Sequence, residues 1–396
     1  MMPFRDVRAQ YEALRAPLDR AVAAVMGEGR YIGGPRVRDL EERLADYVGA
    51  RHCVTCANGT DALSLALMAW GIGPGDAVLV PDFTFFATAE AVARVGAVPV
   101  FVDVDSLTCN ISPASLEKAA SAAEAQVDAR LAAVVAVDLF GLPADYPALR
   151  AVCERRGLLL LEDGAQGFGG AVGSRQVGSL GDISTTSFFP SKPLSCMGDG
   201  GAVFTDNDDW AALIRSLAAH GAGASKYENA RIGMNSRLDA LQAAVLLVKM
   251  DAFERELDAA REAAGRYGRA LGEVGLGLPV VPDGFESAWA QYTVRLPERV
   301  DREAFRSCLA DLGVPTQAYY PQPLHSQAAW DEKVVCFGSP ETERLCRTVV
   351  SLPMGPYLSD ADQRCVIDAV GNALQAIEGA SPRRRSCARV EDGGLL

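Results

Sequence analysis

Leu158-Leu-Leu-Leu161-Glu162-Asp163-Gly164-Ala165-Gln166 runs from unbroken leucine straight into two carboxylates. A half-exposed strand would alternate apolar and polar residues. A strand apolar at every position suits a parallel sheet with helices on both faces. A carboxylate at the end of such a strand is costly unless a partner meets it. Asp163 either pairs with a cationic group at the sheet's edge or caps a helix. This stretch alone leaves both open.

Working outward, strands are expected at 52–56, 77–81, 99–104, 132–137, 183–189 and 202–205, seven with the leucine strand. Helical periodicity lies between them, over 89–95, 113–120 and 145–155, and ahead of them over 4–28. The alternation predicts an α/β fold: a large domain with a mainly parallel seven-stranded sheet flanked by helices. Ligands of such sheets lie beyond the carboxyl ends of the strands. After helix 208–219, Gly233 to Asp239 is expected to open a long helix reaching about residue 270. A smaller α+β C-terminal domain follows, with strand 290–297, helix 301–312, strand 316–320 and a closing helix 360–377. The domain limits are 1–250 and 251–380. Residues 381–396, which carry Arg383, Arg384, Arg385 and Arg389 without periodicity, read as a disordered tail.

Four segments at the expected strand ends carry chemistry. Ser187-Phe-Phe-Pro190-Ser-Lys192-Pro193 holds one lysine between two prolines, ahead of Gly198, Gly200 and Gly201. Pro193 pushes Lys192 toward extended backbone, and Pro190 fixes the chain before it. A stiff loop that presents one amine suits Schiff-base catalysis, provided the surroundings lower the amine's pKa. Ala57-Asn58-Gly59-Thr60-Asp61 opens a helix after a strand. That is a phosphate cradle, or simple N-capping by Asn58 or Thr60; the segment does not separate the two. Thr84-Phe85 places an aromatic at a strand end, where it packs in the core or stacks on a flat ring. Asp163 completes the set. A cradle, a stacking ring, a buried carboxylate and a loop lysine are together what pyridoxal 5'-phosphate (PLP) needs, the carboxylate keeping the pyridine nitrogen protonated.

Composition removes other classes. The 396 residues carry a net charge of -13, which disfavours nucleic acid as a partner. No run of 18 apolar residues exists, so no membrane span is expected, and the first residues lack a signal peptide's apolar core. The ten cysteines are scattered, and Cys53 and Cys56 read as buried strand residues rather than a redox pair. Three histidines argue against zinc, so no metal is expected. A reduced, cytoplasmic setting fits. No G-x-G-x-x-G opens the first strand–helix turn, which counts against a plain dinucleotide-binding protein.

From about residue 4 to 375 the chain resembles the DegT/StrS-type sugar aminotransferases, a fold-type-I PLP transferase family. The resemblance rests on Asn58-Gly59-Thr60-Asp61-Ala62-Leu63, Thr84-Phe85, Glu162-Asp163-Gly164-Ala165-Gln166, Ser187 to Lys192, Gly198 to Ala202, Asn235-Ser236-Arg237-Leu238, Tyr320 to His325 and Leu352-Pro353-Met354. It implies that Lys192 forms the Schiff base and acts as general base, through a pyridoxamine intermediate, and that Asp163 holds the pyridine nitrogen. It further implies ring contacts from Gln166 and Phe85, and phosphate contacts from Gly59, Thr60 and Ser187. Asn235 would reach the phosphate of a second subunit, making a homodimer with shared active sites. Tyr320 and His325 would lie near the sugar. Glutamate is the implied donor. The implied acceptor is a nucleotide-linked keto-sugar of polysaccharide or antibiotic biosynthesis. The lysine loop is similar to that of enzymes aminating UDP-linked 3-keto-hexuronic acids, although Ser195 and Met197 stand where those have Gly and Tyr. A keto-cyclitol acceptor, and a non-catalytic PLP-binding regulator on the same fold, are the alternative readings.

Overall fold

The protein is described by a computed structural model covering residues 2–225, 227–330 and 334–380. The expected tail over 381–396 lies outside the described residues. One sheet of eight strands dominates. Its strands are β1 (His52–Cys56), β2 (Asp76–Pro81), β3 (Val98–Val102), β4 (Arg130–Val137) and β5 (Leu159–Asp163). They continue with β6 (Ile183–Ser187), β7 (Gly201–Thr205) and β8 (Val335–Cys336). The spatial order is β1-β7-β6-β5-β4-β2-β3-β8. Pairing is parallel from β6 across to β8, and β7 runs against both β6 and β1. All seven expected strands are present. The eighth, β8, has two residues and lies on the far edge, too short to leave a period in the sequence.

Strand alternation sorts the apolar residues onto two faces. Val78, Val80 and Leu161 pack with helices Gly59–Ala69, Ala87–Arg94 and Asp208–Leu217. Leu79, Val134 and Leu160 pack the other way, against helices Pro113–Gln126 and Tyr146–Arg156. The leucine strand is apolar at every position because both its faces are covered. Removing one such side chain, as in Leu161→Ala, would cost about 2–5 kcal/mol. Cys53 and Cys56 are buried in β1, and burial pushes both thiols up.

A second core gathers residues from Ala260 to Leu374, including Tyr267, Tyr292, Phe305 and Val366. It is built on the antiparallel pair Tyr292–Arg295 and Val349–Leu352 and on helices Phe253–Leu271, Arg302–Asp311 and Asp360–Ala380. Two expectations are corrected here. Residues 316–320 form no strand; they make a single bridge between Gln317 and Ser351. Tyr319 and Tyr320 then leave that edge to line a cavity, and Pro321 and Pro323 bring no N–H to a ladder. The long helix to about residue 270 is two helices, Ala240–Met250 and Phe253–Leu271. Ala252 N–H bonds back to Lys249 O at 3.0 Å, a tight turn between them. The turn lets Val245 pack on Leu14 and Leu18 while Phe253 enters the cluster around Phe168. No proline or glycine marks it, so the apolar period reads straight through.

Candidate active site

A cavity of about 400 Å³ opens at the carboxyl ends of the strands. Asn58, Gly59 and Thr60 follow β1; Thr84 and Phe85 follow β2; Asp163 and Gln166 end β5; Ser187 ends β6. β1 and β6 each run against β7, so they point the same way and their ends meet.

The last two residues of β5 go to opposite sides. Glu162 turns away and accepts the N–H groups of Gly178 and Leu180, each at 2.8 Å, and the Ser184 hydroxyl. Asp163 turns to the cavity. Its Oδ2 accepts from the Thr88 hydroxyl at 2.9 Å and its Oδ1 from the Ala165 N–H at 3.3 Å. Burial raises the Asp163 carboxyl above its ordinary range, while the Thr88 hydroxyl and the charge of Lys192 pull it back. The lysine loop closes on itself: Phe188 N–H bonds Gly200 O, Cys196 N–H bonds Phe188 O, and Lys192 N–H bonds Phe189 O, each at 2.8 Å. Burial draws the Lys192 amine down to about 8. Asp163 opposes that shift and the charge of Arg5 adds to it.

Two glycines are set by close approach. A Cβ on Gly59 would stand 2.7 Å from the Ser187 Cβ, and one on Gly201 would stand 2.6 Å from the Asn58 backbone. The Asn58 carboxamide takes the Asp61 N–H at 2.8 Å, so the capping reading of this segment holds. The first-turn N–H groups of Gly59 and Thr60 have no intrahelical acceptor and belong to residues lining the cavity. Phe85 is 55% exposed on the same wall. Its ring stands 6.3 Å from that of Tyr320, centroid to centroid. Gln166 is held at both ends of its amide: Oε1 accepts the Phe140 N–H at 2.9 Å, and Nε2 donates to the Tyr320 hydroxyl at 3.2 Å.

The cavity thus brings together Gly59, Thr60, Phe85, Asp163, Gln166, Ser187, Lys192 and Tyr320. Two expected residues lie elsewhere. Asn235 is exposed, in the segment joining helices Asp208–Leu217 and Ala240–Met250, bridged to Ala219. His325 is bonded to Asp82 outside the cavity lining. Asp82, His325 and Cys336 bring ligand-type atoms within 4.8 Å of one another, but both oxygens of Asp82 already accept hydrogen bonds from His325. Gln291 also lines the cavity, and its Oε1 is buried without a hydrogen-bond partner among the described residues. The one trace of it in the sequence is a polar residue inside an otherwise strand-like stretch.

A wound α/β sheet with a half-buried lysine and a buried aspartate on one cavity at its carboxyl ends defines an enzyme that works on amino groups. The chain belongs to the DegT/DnrJ/EryC1/StrS aminotransferase family, whose sequence profile matches residues 13–371. It is 43% identical to a UDP-2-acetamido-2-deoxy-3-oxo-D-glucuronate aminotransferase of Pseudomonas aeruginosa, over 94% of this chain and all of the relative. A solved DegT DnrJ EryC1 StrS aminotransferase from Brucella abortus superposes with a TM-score of 0.91 at 46% identity, covering 94% of this chain and 99% of the other. The structure of DesV from S. venezuelae in complex with a ketimine intermediate gives a TM-score of 0.88 at 38% identity, covering 94% and 98%. The protein is an aminotransferase. No helix among its described residues is long and apolar enough to cross a membrane.

Proposed function

We propose that this aminotransferase uses PLP to carry an amino group from glutamate to a nucleotide-linked keto-sugar. The observation that carries the reading is the pairing of Lys192 and Asp163 on one cavity, each perturbed chiefly by burial and each acting on the other's charge. The residues present fit the cofactor. Gly59 leaves open the space against Ser187 that a Cβ would fill, and helix Gly59–Ala69 offers its positive end there. Phe85 presents an exposed ring to the same space.

In this reading Gly59, Thr60 and Ser187 hold the phosphate, Asp163 the pyridine nitrogen, Phe85 a ring face, and Gln166 the phenolic oxygen. When bound, PLP supplies an aldehyde that accepts amino groups and a pyridinium that draws electron density from the carbon losing a proton. Lys192 attacks as a neutral amine, a form that burial makes abundant near pH 8. The same Nζ would move the proton off the donor's α-carbon in the first half-reaction, which ends as glutamate leaves as 2-oxoglutarate, and would put a proton on the acceptor carbon in the second. Thr88 keeps Asp163 oriented by donating to Oδ2. Tyr320, anchored on Gln166, forms the wall next to Phe85 and contacts the sugar. His325 would serve the sugar only by fixing the loop that carries Tyr320. Asn235 serves a second copy of the chain; it is exposed, as is Ile232 (89%), and lies outside its own cavity. Such a homodimer, working in the cytoplasm, shares its active sites. The name of the Pseudomonas relative favours a UDP-linked 3-keto-hexuronate as acceptor.

The test is spectroscopic. Protein loaded with PLP absorbs in the visible range, glutamate bleaches the band, and a UDP-linked 3-keto-sugar restores it. Restoration by a keto-inositol instead would redirect the acceptor to cyclitols. A Lys192→Ala protein that still turned over keto-sugar would remove the reading altogether.

A further inference from the structure

The stretch Met2–Asp6 ahead of the first helix runs along the back of the active site. Met2 packs on the second core. Phe4 O accepts the Met354 N–H at 3.3 Å, and the Phe4 ring meets Tyr319 edge-on at 6.2 Å. Asp6 caps helix Val7–Glu28 through the Ala9 N–H. Between them, Arg5 reaches inward. Its Nη2 donates to the backbone carbonyl of Lys192 at 2.9 Å, and its Nη1 to that of Ala290 at 3.5 Å. Lys192 and Gln291, the neighbour of Ala290, both line the cavity. One planar guanidinium therefore joins two walls of the site, a task its fixed fork suits and an ammonium does not.

We propose that Arg5 is a positioning residue for the transfer reaction, fixing the backbone of Lys192 relative to the Ala290–Gln291 wall so that the amine meets its reaction partners in one geometry. The charges around it fit that role. The buried Glu256 carboxylate acts on the charge of Arg5. It is itself held by Gln10 at 2.7 Å and Tyr357 at 2.6 Å. Lys249 shares Glu256 and donates to Ser195, in the lysine loop, at 3.3 Å. Two cations and one carboxylate thus stand behind Lys192, with Asp163 acting on its amine and Asp199 also on the cavity. Of the charges acting on the amine, Arg5 favours its neutral form and Asp163 opposes it.

The assignment rests on Lys192 being the reacting amine, and the test separates the two claims. The chain has five lysines: Lys118, Lys192, Lys226, Lys249 and Lys333. Cofactor-free protein is reductively methylated across a pH series and each lysine is read by peptide mass spectrometry, with exposed Lys118 as reference. In R5M the labelling midpoint of Lys192 should rise by roughly half a pH unit or more while that of Lys118 stays. The kcat of loaded enzyme should fall about tenfold or more, and R5K should recover the midpoint better than the rate. A folded R5M with wild-type midpoint and kcat overturns the proposal, even if its melting temperature drops. Should R5M not fold, R5K and R5Q decide: wild-type kcat in both overturns it, and loss in both supports it. Failure of the Lys192 reading would show separately, as turnover by Lys192→Ala.

Discussion

Both carboxylate oxygens of Asp82 are taken by one residue: the His325 backbone N–H reaches Oδ1 at 2.8 Å and the imidazole Nδ1 reaches Oδ2 at 2.6 Å. Asp82 is fully buried and follows β2 directly. Its backbone carbonyl also accepts the Leu324 N–H at 3.0 Å. The loop that brings Tyr319 and Tyr320 to the cavity is therefore pinned to the sheet through His325. A carboxylate accepts only, so the imidazole carries its proton on Nδ1.

His325→Ala would leave a buried carboxylate with one donor instead of two. The expected cost is about 2–4 kcal/mol of stability, measured by urea denaturation of the cofactor-free protein. The loss should exceed any change in the glutamate KM. A stable His325→Ala protein with a keto-sugar KM raised a hundredfold would place the imidazole on substrate instead.

Lys192 gives two pH predictions. PLP capture by the cofactor-free protein should speed up with pH around a midpoint near 8, because the neutral amine is the nucleophile. Stability should also depend on pH. An unfolded lysine at 10.5 binds its proton more tightly than Lys192 folded at about 8, so the unfolded state carries more protons between those values and stability rises with pH across them. Lys249, also near 8, adds a contribution of the same sign. Lys192→Met should therefore flatten the rise only in part, and the double variant with Lys249→Met should flatten it further. Denaturation midpoints across pH 8 to 10.5 check the sign.

Much of the fold was legible because its signals are local. Unbroken apolar runs such as Leu158 to Leu161 and well-placed turn residues fix a covered parallel sheet without any knowledge of neighbours. The cavity was legible for the same reason: in such a sheet ligand-contacting residues sit at strand ends, so Thr60, Phe85 and Asp163 could be picked by position, while Ser187 came only from the resemblance. What failed to show depends on contacts distant in sequence. The break at Asp251-Ala252 is set by Val245 and Phe253 packing on different partners. Gln291 and Arg5 act through loops 99 and 187 residues from Lys192, and beyond a polar residue in a strand-like stretch at Gln291 nothing in their own neighbourhoods marks them. The resemblance put His325 near the sugar; the partner that holds it, Asp82, lies 243 residues away.

The two adjacent carboxylates of β5 should separate cleanly on mutation. Asp163→Asn keeps a group that can accept from Thr88 but loses the charge that, in the proposed reading, faces the cofactor nitrogen. Turnover should fall about a hundredfold or more, with little change in melting temperature. Glu162→Gln would set an amide NH₂ against the N–H donors of Gly178 or Leu180. It should cost about 2–4 kcal/mol in stability and leave the visible spectrum of folded, loaded protein in place. Equal effects of both variants on turnover per folded molecule would contradict the division of labour.

Gln291 supplies the last prediction. Its buried carboxamide oxygen has no donor among the described residues, which is costly, and Tyr319, Tyr320 and Lys192 line the same cavity. In the proposed reaction a substrate would supply the donor, and a keto-sugar brings several hydroxyls where glutamate brings one ammonium. Gln291→Leu removes the acceptor at similar volume. Single-turnover measurements should find the sugar half-reaction slowed at least about tenfold more than the glutamate half-reaction. Gln291→Asn, whose shorter side chain keeps the amide but withdraws it, should fall between. Equal slowing of both halves would place Gln291 among the residues that hold the cofactor rather than the acceptor.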